Sequence, residues 1–197
     1  MKTLDLFVVE LEKQSHDEIT LNNGAKLYLD SKFNEFEWRV TEGPVVCAPE
    51  RHNTGVKKGD TLYFHHLVVM NEGQVLTGHD NHYLVRYDAE HTINNQAIAH
   101  KSDDGSVHPL AGWTLIKPIE VEGLSSDKIE VVELEKAATT RGTVAFDAPW
   151  LEELGVKAGD TVVFRDKMQY KITIDDVDYF RVRSQDLLYV EEEVHND

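Results

Sequence analysis

Two stretches one hundred positions apart carry nearly the same ten residues. Residues 55–64 read Gly-Val-Lys-Lys-Gly-Asp-Thr-Leu-Tyr-Phe and residues 155–164 read Gly-Val-Lys-Ala-Gly-Asp-Thr-Val-Val-Phe, with seven of the ten positions identical. Ala48-Pro49 and Ala148-Pro149 keep the same offset. Self-similarity at a fixed spacing means two copies of one structural unit, and that constrains the architecture more than any single motif could. The chain of 197 residues is therefore expected to divide into units 1–108 and 109–197, with the boundary near the Gly, Ser, Pro and Ala cluster of residues 105–112. Each unit is large enough for one modest core.

Both halves are acidic: residues 1–98 hold 9 Lys or Arg against 15 Asp or Glu, and residues 99–197 hold 11 against 21. A net charge of −16 repels phosphate backbones and argues against a nucleic-acid binder. Cys47 is the sole cysteine, which excludes an intrachain disulfide and a cysteine-rich zinc site. The opening Met1-Lys2-Thr3-Leu4-Asp5-Leu6 has no signal-peptide core, and no apolar run reaches membrane-spanning length. A cytoplasmic protein is expected.

Short strand signals separated by Gly, Asn and Asp dominate the chain, while helical periodicity is scarce. Strands are expected over Leu4–Glu12, Pro44–Cys47, Thr61–Phe64, Tyr83–Tyr87, Trp113–Ile119, Gly142–Phe146, Thr161–Phe164, Tyr170–Ile174, Tyr179–Arg183 and Asp186–Glu191. Trp150–Leu154 could make one helical turn with Leu151 and Leu154 on one side, too short to matter. The pattern implies an all-β chain of two small barrels. Long connections, residues 14–41 and 123–141, precede the Gly-Val strand of each unit, and connections of that length in a compact barrel are usually functional or disordered. Asn23-Gly24 favours a tight hairpin near the tip of the first.

The second unit resembles the GroES-type co-chaperonins. The residues that carry the likeness are Thr140-Arg141-Gly142-Thr143-Val144, then Val156-Lys157-Ala158-Gly159-Asp160-Thr161-Val162-Val163-Phe164, then Ser184 to Glu191. The first unit is similar more loosely, through Glu42-Gly43-Pro44-Val45-Val46 and Val56-Lys57-Lys58-Gly59-Asp60. Two copies in one chain resemble the tandem form of chloroplasts, and a phage-encoded form acting in a host cytoplasm fits equally. The resemblance implies two GroES-like β-barrels with long mobile-loop insertions, no cofactor, no enzymatic activity, and a GroEL-type chaperonin as partner of a homo-oligomeric ring. The roof hairpin of the family has only residues 47–55 and 147–155 to occupy, so a reduced roof is expected.

The same resemblance implies that an apolar triplet in each long connection docks on the chaperonin. In the second unit the candidates are Ile129, Glu130, Val131 and Val132, with Ile129 twelve residues before Arg141, as in the family. In the first unit they are Leu27, Tyr28 and Leu29. On pattern alone, either run reads as strand residues packed in a core. Strand residues Leu4–Val9 and Leu187–Val190 are the expected contacts between neighbouring copies, because edge strands of small barrels need cover.

Two rival readings stay open at this point. Seven of the ten histidines (His65, His66, His79, His82, His91, His100 and His108) fall in one segment, and imidazole with carboxylate suits a divalent metal. No well-spaced ligand pair is present, so exposed loop histidines are the simpler expectation and no metal is assigned. The other rival is a structural oligomer, such as a viral assembly component, whose arms bind a different ring. No Gly-x-Ser-x-Gly elbow, phosphate-binding loop or dinucleotide fingerprint points to catalysis.

Overall fold

A computed structural model describes residues 1–13, 18–20, 24–28, 39–69, 75–119, 140–166 and 170–191. The chain forms two compact units, Met1–Ser106 and Val107–Asp197. In order, the strands are β1 (Leu6–Glu10), β2 (Glu18–Thr20), β3 (Lys26–Tyr28), β4 (Glu42–Cys47), β5 (Thr61–Phe64), β6 (His82–Arg86), β7 (Ala97–Lys101), β8 (Val107–Pro109), β9 (Trp113–Pro118), β10 (Arg141–Val144), β11 (Thr161–Phe164), β12 (Lys171–Ile174), β13 (Val177–Arg183) and β14 (Leu187–Val190). One helical turn, α1 (Pro149–Glu152), lies between β10 and β11. The all-β class expected from the strand signals is the class observed.

Two six-stranded sheets carry the fold, ordered β6-β1-β4-β5-β7-β8 and β12-β13-β9-β10-β11-β14. The repeated ten residues explain themselves at this level. In both copies the Asp carboxylate caps its own turn, Asp60 Oδ2 accepting the Lys57 N–H at 2.8 Å and Asp160 Oδ2 accepting the Lys157 N–H at 3.0 Å. Gly59 and Gly159 stand at φ +98° and +97°, a region that a side chain disfavours. Their N–H groups donate to Val45 O and Val144 O, which pins each turn to the preceding strand. The Thr-to-Phe run then enters the sheet as β5 or β11.

The match extends beyond the repeated string. β5 pairs with β7 through a register shift between Tyr63 and Phe64, and β11 pairs with β14 through a shift between Val163 and Phe164. These pairings align Ala97 with Leu187, Ala99 with Tyr189 and His100 with Val190. Phe7, Val8, Val9, Leu62, Phe64 and Val85 fill the first core. Ile116, Val144, Leu151, Val162, Phe164, Phe180 and Val182 fill the second.

Three expectations need correcting. β1 runs between β4 and β6 with Phe7, Val8 and Val9 wholly buried, so its hydrogen-bonding edges are spent inside its own sheet. The Leu4–Val9 segment is therefore not an open strand for a neighbouring copy. Leu151 and Leu154 do not share an environment either: Leu151 is 1% exposed and Leu154 76%. The helical turn ends at Glu152, and the Val156 N–H returns to Leu151 O, turning Leu154 outward. The turn also matters to the fold, because Leu151 is part of the second core. Finally, β7 and β8 carried no clear strand signal, yet Ala97–His100 are buried throughout.

Candidate functional site

Of the first arm, the structure describes a hairpin. β2 and β3 pair antiparallel with Glu18 opposite Tyr28, Ile19 opposite Leu27 and Thr20 opposite Lys26. Gly24 takes φ +80° with open space around the position of a Cβ. Asn23, the other residue of the expected Asn23-Gly24 turn, lies outside the described residues. The hairpin is a sheet of its own, separate from both six-stranded sheets. Leu27 is 50% exposed, outside the hydrophobic core. Tyr28 is the last residue of β3. Leu29, Ile129, Glu130, Val131 and Val132 lie outside the described residues.

A second apolar surface sits at the end of the second sheet. Among the described residues β14 pairs with β11 alone. Leu188 is 50% exposed, Tyr189 59% and Val190 is also open to solvent. Large apolar side chains along a bare strand edge are an adhesive arrangement that monomeric proteins normally blunt. Sequence reasoning had singled out this strand, but could not tell that it ends its sheet while β1 does not.

The histidines do not converge. His65 and His66 stack with ring centroids 4.3 Å apart, and His79 and His82 lie 4.9 Å apart. His91 Nδ1 is 3.3 Å from Asp88 Oδ2. Among the described residues, no three His, Cys, Asp or Glu side chains gather as a metal site.

Perturbed ionisable groups have local structural causes. Asp88 is held below the ordinary carboxylate range chiefly by the His91 N–H, 2.9 Å from Oδ1, and then by the Glu90 N–H at 2.8 Å. Burial lowers Arg181 to about 10, with its guanidinium 4.9 Å from the Tyr170 ring centroid. Arg183 is lowered by burial and partly restored by Asp186, and its guanidinium lies 3.7 Å from the Trp113 ring centroid. Each of these groups clamps strands or turns. None stands beside a nucleophile in the way a reactive site requires. Among the described residues no helix is long and apolar enough to cross a membrane.

Among the described residues, two exposed apolar features are Leu27 on the β2–β3 hairpin and the edge strand β14. No family model matches the chain. Curated relatives do. The co-chaperonin GroES of Pseudothermotoga lettingae is 33% identical over 82 residues, which are 42% of this chain and 92% of that protein. The co-chaperonin GroES of Kosmotoga olearia is 32% identical over 87 residues, 44% of this chain and 98% of that protein. Nearly all of such a protein fits within less than half of this chain, which is the proportion a duplicated unit requires. The chain belongs to the GroES co-chaperonin family.

Proposed function

We propose that the protein is a non-enzymatic lid: it caps a GroEL-type chaperonin through its apolar arms and assists ATP-dependent folding of client proteins. The observation that carries this reading is Leu27, half exposed on a hairpin that belongs to neither six-stranded sheet. The relatives named co-chaperonin GroES support the partner. Leu27, Tyr28 and Leu29 anchor the first arm, and Ile129, Val131 and Val132 anchor the second, with Glu130 as a charged interruption.

The energetics suit reversible capping. Burying one Leu, Ile or Val contributes roughly 1.5–3 kcal/mol, while ordering an arm residue costs roughly 1–2 kcal/mol. A few anchors and several ordered residues nearly cancel, so one arm grips weakly. Several arms on one assembly grip firmly through effective concentration. That assembly is a homo-oligomeric ring built through the bare edge of β14, where Leu188 and Tyr189 lose exposed apolar surface against a neighbouring strand. Nucleotide hydrolysis belongs to the chaperonin, and the lid supplies a closed chamber in which transiently exposed apolar surface cannot aggregate.

The test is ATP-dependent co-sedimentation with a GroEL-type chaperonin, coupled to refolding of an aggregation-prone client. Wild type is expected to be captured and to raise the refolding yield. The combined Leu27→Asp, Ile129→Asp and Val131→Asp chain is expected to stay folded and to lose both activities. Undiminished capture by the triple variant overturns the arm mechanism. A folded oligomer that never binds the chaperonin moves the protein to the structural-oligomer reading.

A further inference from the structure

The histidines of residues 65–108 form no single cluster, but one pair has the spacing of two ligands on one metal ion. The His79 and His82 rings lie 4.9 Å apart between centroids and are tilted by 48°. Imidazoles on one ion hold their ring centres about 3.2 Å from it, hence about 4.5–5.2 Å from each other at ligand angles of about 90–109°. We propose that His79 and His82 together bind one divalent transition-metal ion of the zinc, nickel or copper class, with water in the positions the protein leaves open.

The backbone holds the pair in place. The His79 N–H donates to Leu76 O at 2.9 Å, the His82 N–H to His79 O at 3.0 Å and the Leu76 N–H to His82 O at 2.8 Å, closing a turn across the two ligands. The Leu11 N–H donates to Asn81 O at 2.9 Å, and His82 enters β6 opposite Glu10 of β1. Rings already held near each other need little further ordering when an ion arrives. His79 is exposed and His82 half-buried, so an ion reaches them from solvent. Asp80 inside the turn and Glu10 across the strand pair add negative charge nearby, without making a third ligand among the described residues.

The other stacked pair lacks these features. His65 and His66 are 4.3 Å apart, His66 is buried, and His65 Nδ1 already accepts the Leu67 N–H at 3.2 Å. In the second unit Tyr179 stands where the first has His82, so the pair is not duplicated. Two imidazole nitrogens favour borderline transition ions over magnesium and calcium, which take oxygen ligands. The site is independent of the co-chaperonin reading above, and its test involves no chaperonin.

The experiment uses the full-length chain without an affinity tag. Zinc chloride is titrated by calorimetry with and without excess magnesium chloride, and nickel chloride is titrated while the histidine ring resonances are followed by NMR. Wild type is expected to bind one zinc ion per chain, undisturbed by magnesium. Paramagnetic nickel is expected to broaden the His79 and His82 resonances before those of any other histidine. His79→Gln and His82→Gln should each weaken zinc binding about tenfold or more, because losing even an outer partner of a metal ligand costs that much. The double variant should lose binding, and His91→Gln should leave it unchanged.

No zinc binding by wild type, undiminished binding by the double variant, or displacement of zinc by magnesium overturns the site. The nickel titration is read on the wild-type chain and locates the ion whether or not a variant folds. Earlier broadening at any other histidine overturns the proposal as well.

Discussion

The two units share a frame but solve packing and exposure in different ways. Val9 pairs with Val45 and Tyr83 in the first sheet, and Ile116 pairs with Val144 and Phe180 in the second. Those pairings set Phe7 against Thr114 and Tyr87 against Ser184 as equivalent positions. The first unit fills this corner with rings: Phe7 meets Tyr87 edge-on at 5.6 Å, and Tyr87 meets His52 at 5.4 Å. In the second, Thr114 and Ser184 share a hydroxyl hydrogen bond of 3.0 Å, and the Trp150 indole N–H donates to Ser184 Oγ at 3.0 Å. Aromatic bulk has moved from the strands to the roof segment. The lesson is that the Gly-Asp turn and strand register define the barrel, while the corner filling is negotiable so long as volume and polar partners are supplied.

The last strand of each frame teaches the sharper difference. β7 pairs with β5, and its Ile98 is wholly buried. Its equivalent β14 ends the second sheet and holds Leu188 and Tyr189 in solvent. His100 on β7 also places Nδ1 3.3 Å from Asp60 Oδ2 with both side chains buried, where the second unit has Val190 and Asp160. One strand is interior structure and the other is surface.

The largest expected effect tests that contrast directly. Ile98→Asp puts a charge in a closed interior and should unfold the first unit, since burial of an unpaired charge costs several kcal/mol or more. Leu188→Asp should change stability by about 0.5 kcal/mol or less and shift native mass toward the monomer. If the two substitutions destabilise equally in urea, the contrast is wrong.

Next in size is the roof. Positions 51 and 151 are equivalent, yet Arg51 is an exposed partner of Asp5 at 2.7 Å and Leu151 is core. Leu151→Ala should cost about 2–5 kcal/mol, and Arg51→Ala about 0–1 kcal/mol, both read from denaturant midpoints. His100→Val, which imports the residue of the second unit, should destabilise the first unit by about 1–3 kcal/mol by leaving the Asp60 carboxylate buried without its imidazole. A neutral result in thermal unfolding would show that the pair is dispensable. Smallest is the shared feature: Gly59→Ala and Gly159→Ala should each cost about 1–2 kcal/mol. Unequal losses by calorimetry would show that the two turns are not interchangeable.

Legibility followed the range of the interactions. The Gly59-Asp60 and Gly159-Asp160 turns were readable because φ preference and carboxylate capping act within a few residues. β5, β6, β9, β11 and β13 were readable because β-branched and aromatic residues cluster in them. β7 was not, because Ala97-Ile98-Ala99-His100 is buried throughout and lacks the alternation that marks a half-buried strand. The divergence of Leu151 and Leu154 depended on where the helical turn stops. The opposite fates of β1 and β14 depended on which distant strands lie beside them.

The amino-acid sequence by itself determined that there are two units, that both are β-barrels, and where the capping turns fall. Those properties rest on repetition and short-range stereochemistry. Only the tertiary structure decided which apolar strand is interior and which is bare, which roof leucine is core, and that the first arm is a paired hairpin. Each of these depends on hydrogen-bond partners and neighbours beyond the local segment, and a strand carries no local mark of which of its edges will be filled.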